Sequence, residues 1–385
     1  MYHYKLVLIG YIELLEQFES IFSKDGYLIS PTLGDNFCFE ISGESIYYAL
    51  CDIENKSSIS MLHYKQKVVD AIKKRIEVCG GRLLHASLDQ SGERDTQLRA
   101  SNSAIRTLAI AGKDGLEIYD TLCTLINYHF QYFFNWKDGI WFCHDTSEKN
   151  GKKPRTHLQT SAVGKDRRNT LTLNTHLDSL STLLLIKKLY PNIKLSFSID
   201  EYIKKGIQSI NQLFSIGDNY PSIMFQKADS FVMKRVSFKN MNFLENMWAR
   251  IIHPVLFKLM TPTVFFKNGF IARDLAVMNV HMDYLVVNIV DFARFMFLYR
   301  DICPKGNLNY ELLLQRIIKA VELIEGSKNI KDYISSSELL EAWNAEMFFT
   351  LSNLDPRFLT KARELAVSQV YCTYSPFYNN IFDEN

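Results

Sequence analysis

TLNTHLDSLSTLLLIKKLYP, residues 172–191, carries the reading of the chain, because it holds a seven-residue phrase that returns later. Asn174-Thr175-His176-Leu177-Asp178-Ser179-Leu180 is echoed 105 residues on by Asn279-Val280-His281-Met282-Asp283-Tyr284-Leu285, each at the start of a long apolar stretch. Leu180, Leu183 and Leu184 lie with His176 on one face, while Asn174, Ser181 and Thr182 lie with Asp178 on another. One apolar and one small-polar face describe a helix that packs on one side and lines an interior on the other. Asn174 and Asn279 read as N-caps, and Asp178 and Asp283 as acids placed in the positive first turn. Residues two apart on a helix project about 200° apart, so His176 and Asp178 do not share one ligand from a regular helix.

Helical periodicity extends outward from this phrase. Residues 61–78, 100–112, 115–133, 174–190, 199–215, 242–260, 279–300, 309–325, 336–351 and 358–370 carry apolar residues at three- and four-residue spacings. A short helix is expected at 11–23, and 25–53 reads as short strands broken at Gly34-Asp35-Asn36 and Ser42-Gly43. The division expected is a small β-containing N-terminal segment, 1–59, followed by a helical domain, 60–385. Two aromatic segments with Asp-Gly or Asn-Gly turns precede the two copies of the phrase: Asn135-Trp136-Lys137-Asp138-Gly139-Ile140-Trp141 and Phe265-Phe266-Lys267-Asn268-Gly269-Phe270. His144-Asp145 follows the first and Arg273-Asp274 the second, so the repeat is longer than seven residues. A weaker relative, Leu98 to Leu108, keeps the Asn (Asn102), the helix and the later Leu.

Composition narrows the function classes. With 385 residues, 47% apolar and 13% aromatic, the chain is globular. A net charge of +2 gives no global field for nucleic acid. The one dense basic run, Lys152-Lys153-Pro154-Arg155 with Lys165, Arg167 and Arg168, reads as a solvated loop or an anion-binding one. Seven cysteines without a Cys-x-x-Cys pair fit reduced thiols in a cytoplasmic protein, and no stretch is long and apolar enough to span a membrane. Phosphate-binding loops, dinucleotide fingerprints, zincin motifs and the nucleophile elbow are all absent from the sequence.

The segments 135–148 (NWKDGIWFCHDTSE), 172–191 and 268–295 resemble those of the (α/α)-toroid, or six-hairpin, carbohydrate-active proteins: glycoside hydrolases, polysaccharide lyases and glucuronyl C5-epimerases. The resemblance is one of layout over roughly residues 60–370. It implies a mainly α fold, an (α/α) toroid or incomplete barrel of helical hairpins, with acid/base chemistry on an oligo- or polysaccharide, neutral or anionic. The catalytic candidates it implies are His144, Asp145, His176, Asp178, Arg273, Asp274, His281 and Asp283. Trp136, Asp138, Trp141, Glu148, Arg168, Asn174, Trp248 and Asn279 are the substrate-binding candidates. Paired carboxylates serve hydrolysis, and a His or Tyr with an Arg serves proton abstraction beside a uronate. No cofactor and no resident metal is demanded, although His144, His176, His281 and several Asp could converge on a divalent ion. The rival expectation is a non-catalytic helical-repeat protein binding a glycan or protein partner, with the repeated heads as caps and packing.

Overall fold

The inward faces of five helices hold the centre of the chain. The computed structural model describes residues 11–16, 18–29, 41–84, 96–146, 148, 171–216, 263–275, 282–304, 306–368 and 374–379. Within them the helices are α1 (Tyr11–Glu16), α2 (Ile41–Ser57), α3 (Leu62–Val78), α4 (Leu98–Lys113), α5 (Tyr119–His129), α6 (Leu173–Leu189), α7 (Ile199–Phe214), α8 (Met282–Ile302), α9 (Tyr310–Gly326), α10 (Lys328–Ser335), α11 (Glu338–Ser352) and α12 (Leu359–Ser368). The one sheet among the described residues is an antiparallel hairpin, β1 (Phe133–Trp136) and β2 (Gly139–Phe142). The expected helix 242–260 and the basic run 152–168 lie outside the described residues.

α2, α4, α6, α8 and α11 pack side by side in that order, and α3, α5, α7, α9 and α12 each lie against the helix that precedes them in this set. Burial follows this layering: α6 is buried continuously from Leu173 to Ile186 and α8 from Leu285 to Tyr299. The flanking helices bury one stripe each, such as Ile203, Ile207, Ile210 and Leu213 of α7. Among the described residues no helix is long and apolar enough to cross a membrane.

Residues 41–53 form a helix, which corrects the strand expectation. β-branched and aromatic residues here suggest a strand, but Ile46, Leu50 and Ile53 recur on one buried helical face. Ser42-Gly43 is no turn: Gly43 lets α2 settle against Ile72 and Leu28, whose methyl groups lie 3.1 and 3.2 Å from where a Cβ would stand. The Phe22–Leu28 bridge is the β pairing found before residue 59 among the described residues.

The Asp-Gly of the first hairpin is shifted by one position from a turn pair. Trp136 pairs with Gly139, so Lys137 and Asp138 form the loop, with Lys137 at φ 51°. Glycine is needed at 139 because a Cβ there would lie 2.5 Å from the Lys205 carbonyl and 2.4 Å from Ser209 Oγ, both on α7. Gly269 repeats the device: at φ 100° it approaches α9, where a Cβ would lie 2.5 Å from the Lys319 carbonyl. Gly139→Ala is therefore expected to destabilise the chain by about 1–3 kcal/mol through forced displacement of α7. Gly326→Ala, where nothing lies within 4 Å of the added carbon, should leave stability unchanged or raise it. Thermal denaturation of the two variants checks this, and equal melting points would refute the close-approach account.

Candidate functional site

The segments that follow the two hairpins run as straps across helix heads in matching fashion. His144-Asp145-Thr146 lies antiparallel to Thr96-Gln97-Leu98 at the start of α4, with Leu98 N donating to the His144 carbonyl (3.1 Å) and Thr146 N to that of Thr96 (3.1 Å). Arg273-Asp274-Leu275 lies likewise on Leu171-Thr172-Leu173 at the start of α6, with Leu173 N donating to the Arg273 carbonyl (2.7 Å) and Leu275 N to that of Leu171 (3.1 Å). Main-chain pairing of the strap thus satisfies amides that a side-chain cap would otherwise serve.

This geometry corrects the register read from the sequence. Thr172 is the N-cap of α6, so Asn174 lies inside the first turn, where its Oδ1 accepts from Thr175 N (2.8 Å). Leu98 and Leu173 stand at equivalent heads, which sets Asn102 level with Leu177 and not with Asn174. His176 Nδ1 accepts from Phe142 N (3.2 Å) at the end of the first hairpin. The same position of the second hairpin is met by Asn288, whose Nδ2 donates to the Ile271 and Ala272 carbonyls (3.1 Å each). His176 is therefore level with Asn288, which stands seven residues further along the chain than His281.

The expected site residues separate into three groups. The first gathers at the head of α6: His144 Nδ1 meets Thr175 Oγ1 (2.8 Å), Glu148 Oε2 accepts from His144 N (2.7 Å), and Asp145 Oδ1 accepts from Glu148 N (3.2 Å). Arg273 and Asp274 arrive there on the second strap, and the Arg273 guanidinium lies over the Tyr284 ring of α8 at 4.7 Å. All five side chains are buried.

The second group is packing. His176 stacks on Trp141 at 4.4 Å, its Nε2 donates to the Gly206 carbonyl of α7 (3.3 Å), and burial pushes it down to about 3. Both of its nitrogens are engaged, which leaves neither for a substrate. Trp141 is fully buried and donates to the Thr172 carbonyl (3.2 Å), so it is a wedge between hairpin and helix and no sugar platform. Half-buried Trp136 packs edge-on against it at 5.3 Å, and exposed Asp138 accepts from Gln212 Nε2 (3.3 Å). Asp283 is half-buried, and its charge adds to burial in raising the ionisation of Tyr333 on α10. Arg168, Trp248, Asn279 and His281 lie outside the described residues.

The third group places Asp178 in a buried charge array deeper between the helices. Arg106 of α4 uses all five of its donor hydrogens there: Nε and Nη2 to Glu44 of α2 (2.6 and 2.8 Å), Nη1 to Asp178 and Thr182 of α6 (2.8 Å each), and Nη2 also to Ser103 (3.2 Å). Tyr48 donates to Glu44 (2.7 Å), and its own ionisation is pushed up by burial and then by the Glu44 charge. Arg99 grips Asp291 of α8 with two bonds (2.6 and 3.0 Å), and Arg294 of α8 pairs with Glu346 of α11. The Phe377 ring lies beneath the guanidiniums of both Arg106 (5.5 Å) and Arg294 (4.7 Å). Burial raises the Asp291 carboxyl to about 6, opposed by Arg99 and reinforced by Asp178. Asp178 Oδ2 and Asn102 Oδ1 are buried without a hydrogen-bond partner.

Sequence reasoning missed Glu44, Arg99, Arg106, Asp291, Arg294 and Glu346. A signal existed for four of them: Arg99 and Arg106 lie two turns apart among small residues, and Asp291 and Arg294 interrupt an otherwise apolar helix. Among the described residues no three His, Cys, Asp or Glu side chains form a metal's ligand set. The described cysteines 51, 79, 123, 143 and 303 are free thiols. Searches of family models, characterised proteins and solved structures return no match to the chain.

Proposed function

We propose that this chain is a carbohydrate-acting enzyme of the (α/α)-toroid type, using acid/base residues at the helix-head end of its inner helices. The observation that carries the reading is that both straps reach the head of α6: His144 of the first meets Thr175 and carries Glu148 and Asp145 bonded to its own strap, and the main chain of Arg273-Asp274-Leu275 pairs along Leu171–Leu173. Carboxylates, an imidazole and a guanidinium together at one end of parallel-packed helices are the groups that proton transfer beside a sugar carbon requires. Closure of the helix row into a ring is supported by the C-terminal residues: Tyr374 packs on Tyr48 of α2 (5.8 Å) and Tyr378 on Phe349 of α11 (5.8 Å), linking the first and last inner helices.

The test is turnover of neutral and uronic-acid oligosaccharides, with products read by NMR to separate hydrolysis, elimination and epimerisation. Asp145→Asn and Asp274→Asn are each expected to lower turnover by about 10²-fold or more, in variants whose circular dichroism matches the parent. Turnover that survives both substitutions would refute the acid/base assignment. One observation favours the rival, a non-catalytic helical array that binds a glycan or protein: Asp145 and Glu148 both bond main-chain amides of their own strap. Glycan binding without any turnover would establish that reading instead.

A further inference from the structure

Arg99 differs from every other member of the buried charge array. Its side chain keeps 21% of its surface exposed, whereas that of its partner Asp291 has none. It belongs to the first turn of α4, next to Leu98, whose amide is held by the His144 carbonyl. The array therefore reaches the helix-head end of the molecule through one guanidinium. Its two bonds to Asp291 have the forked geometry that a guanidinium uses for any carboxylate.

We propose that Arg99 is the recognition point for a carboxylate-bearing sugar, a uronate, which takes the guanidinium from Asp291 while Asp291 takes up a proton. The inference rests on the carbohydrate reading above only for the ligand being a sugar. The burial of Asp291, whose side chain has no exposed surface, demands the proton. Among the described residues the array sets Arg99, Arg106 and Arg294 against Glu44, Asp178, Asp291 and Glu346. With the ligand carboxylate on Arg99, an ionised Asp291 would be left buried beside Asp178 without its partner.

Among the described residues the groups facing Asp291 are Arg99 from α4, Asp178 from α6 and Arg294 from its own helix, with Glu346 of α11 behind Arg294. α9, the other helix packed on α8, turns Leu313, Ile317, Ala320 and Val321 inward and brings no charge. Of these acids, Asp291 is already raised toward neutrality, to about 6. Protonation balances simply: the ligand carboxylate replaces the Asp291 carboxylate on the guanidinium, and one solvent proton neutralises the displaced acid.

The experiment is calorimetric titration of the full chain with sodium glucuronate, glucose and inorganic phosphate at pH 7, repeated in two buffers of different ionisation enthalpy. Glucuronate is expected to bind with uptake of about one proton, and glucose is not. Asp291→Asn should bind glucuronate about tenfold more tightly with no linked proton, and Arg99→Gln should not bind it. Arg99→Lys keeps the charge without the fork and should weaken binding about tenfold, which tests the site even if Asp291→Asn does not fold. Absence of glucuronate binding in both parent and Asp291→Asn, preference for phosphate, or unchanged affinity in Arg99→Lys overturns the site. Proton uptake that persists in Asp291→Asn overturns the linkage. Binding with proton uptake but no turnover on any oligosaccharide keeps this inference and overturns only the enzyme reading.

Discussion

Arg106→Met is expected to destabilise the chain by about 3–5 kcal/mol at neutral pH, measured as a lower urea midpoint with an unchanged slope. The guanidinium is 2% exposed and holds two carboxylates, Glu44 and Asp178, that are equally buried. Methionine fills much of the volume, so the loss is electrostatic: two buried acids lose the guanidinium that both of them bond, while Tyr48 still donates to Glu44. The effect should be reversible on the same logic. Adding Glu44→Gln and Asp178→Asn to Arg106→Met removes the stranded charges and should recover most of the loss, because a buried ion network contributes little net stability against a neutral replacement. A single substitution costing less than about 1 kcal/mol, or a triple variant no better than the single, would mean that these side chains do not meet as described.

The same array shows why the fold was far more legible than the site. Helices such as Leu62–Val78, Ile199–Phe214 and Tyr310–Gly326 bury one stripe, and their three- and four-residue spacing states it directly. Inner helices bury every face, so polar residues there lack a periodic signature: Arg106, Asp178 and Asp291 look like interruptions until partners 72 and 192 residues away come into contact. The repeated phrase misleads for a related reason. Asn174 and His176 take their roles from hairpin and strap, which are not written in the phrase itself. His-Asp and Arg-Asp behind aromatic turns were the better sign, because His144-Asp145 and Arg273-Asp274 make equivalent strap contacts. Lys328–Ser335 escapes periodicity because eight residues with two buried isoleucines make too short a pattern.

Acid stability gives the second large effect and tests the interior as a whole. Burial holds His176 near 3, and burial together with the Arg106 charge holds His129 near 3, each against 6.5 when unfolded. Below pH 6.5 the unfolded chain binds two protons that the native chain does not, so these two sites lose stability progressively as pH falls from 6.5 toward 3. Asp291 acts in the opposite direction. Its native value of about 6 lies above its ordinary 3.8, so between these the native chain holds a proton that the unfolded chain lacks. For these three sites the difference between about pH 6 and pH 4.5 is one proton, and unfolding free energy should fall by about 1.4 kcal/mol per pH unit as pH is lowered.

Two substitutions move that slope in opposite senses. Asp291→Asn removes the offset and should double it to about 2.7 kcal/mol per unit, while His129→Leu should bring it near zero. His129 suits this purpose because neither ring nitrogen has a hydrogen-bond partner, so leucine leaves no buried polar group stranded and should leave neutral-pH stability unchanged or higher. His176→Leu flattens the slope equally but strands the Phe142 amide and the Gly206 carbonyl, and should cost about 1–3 kcal/mol at pH 7. Urea denaturation at half-unit pH steps distinguishes the three. Slopes that coincide for the parent, His129→Leu and Asp291→Asn would mean that these groups titrate in the folded chain as they do in water, and so that the interior between α4, α6 and α8 is not dry.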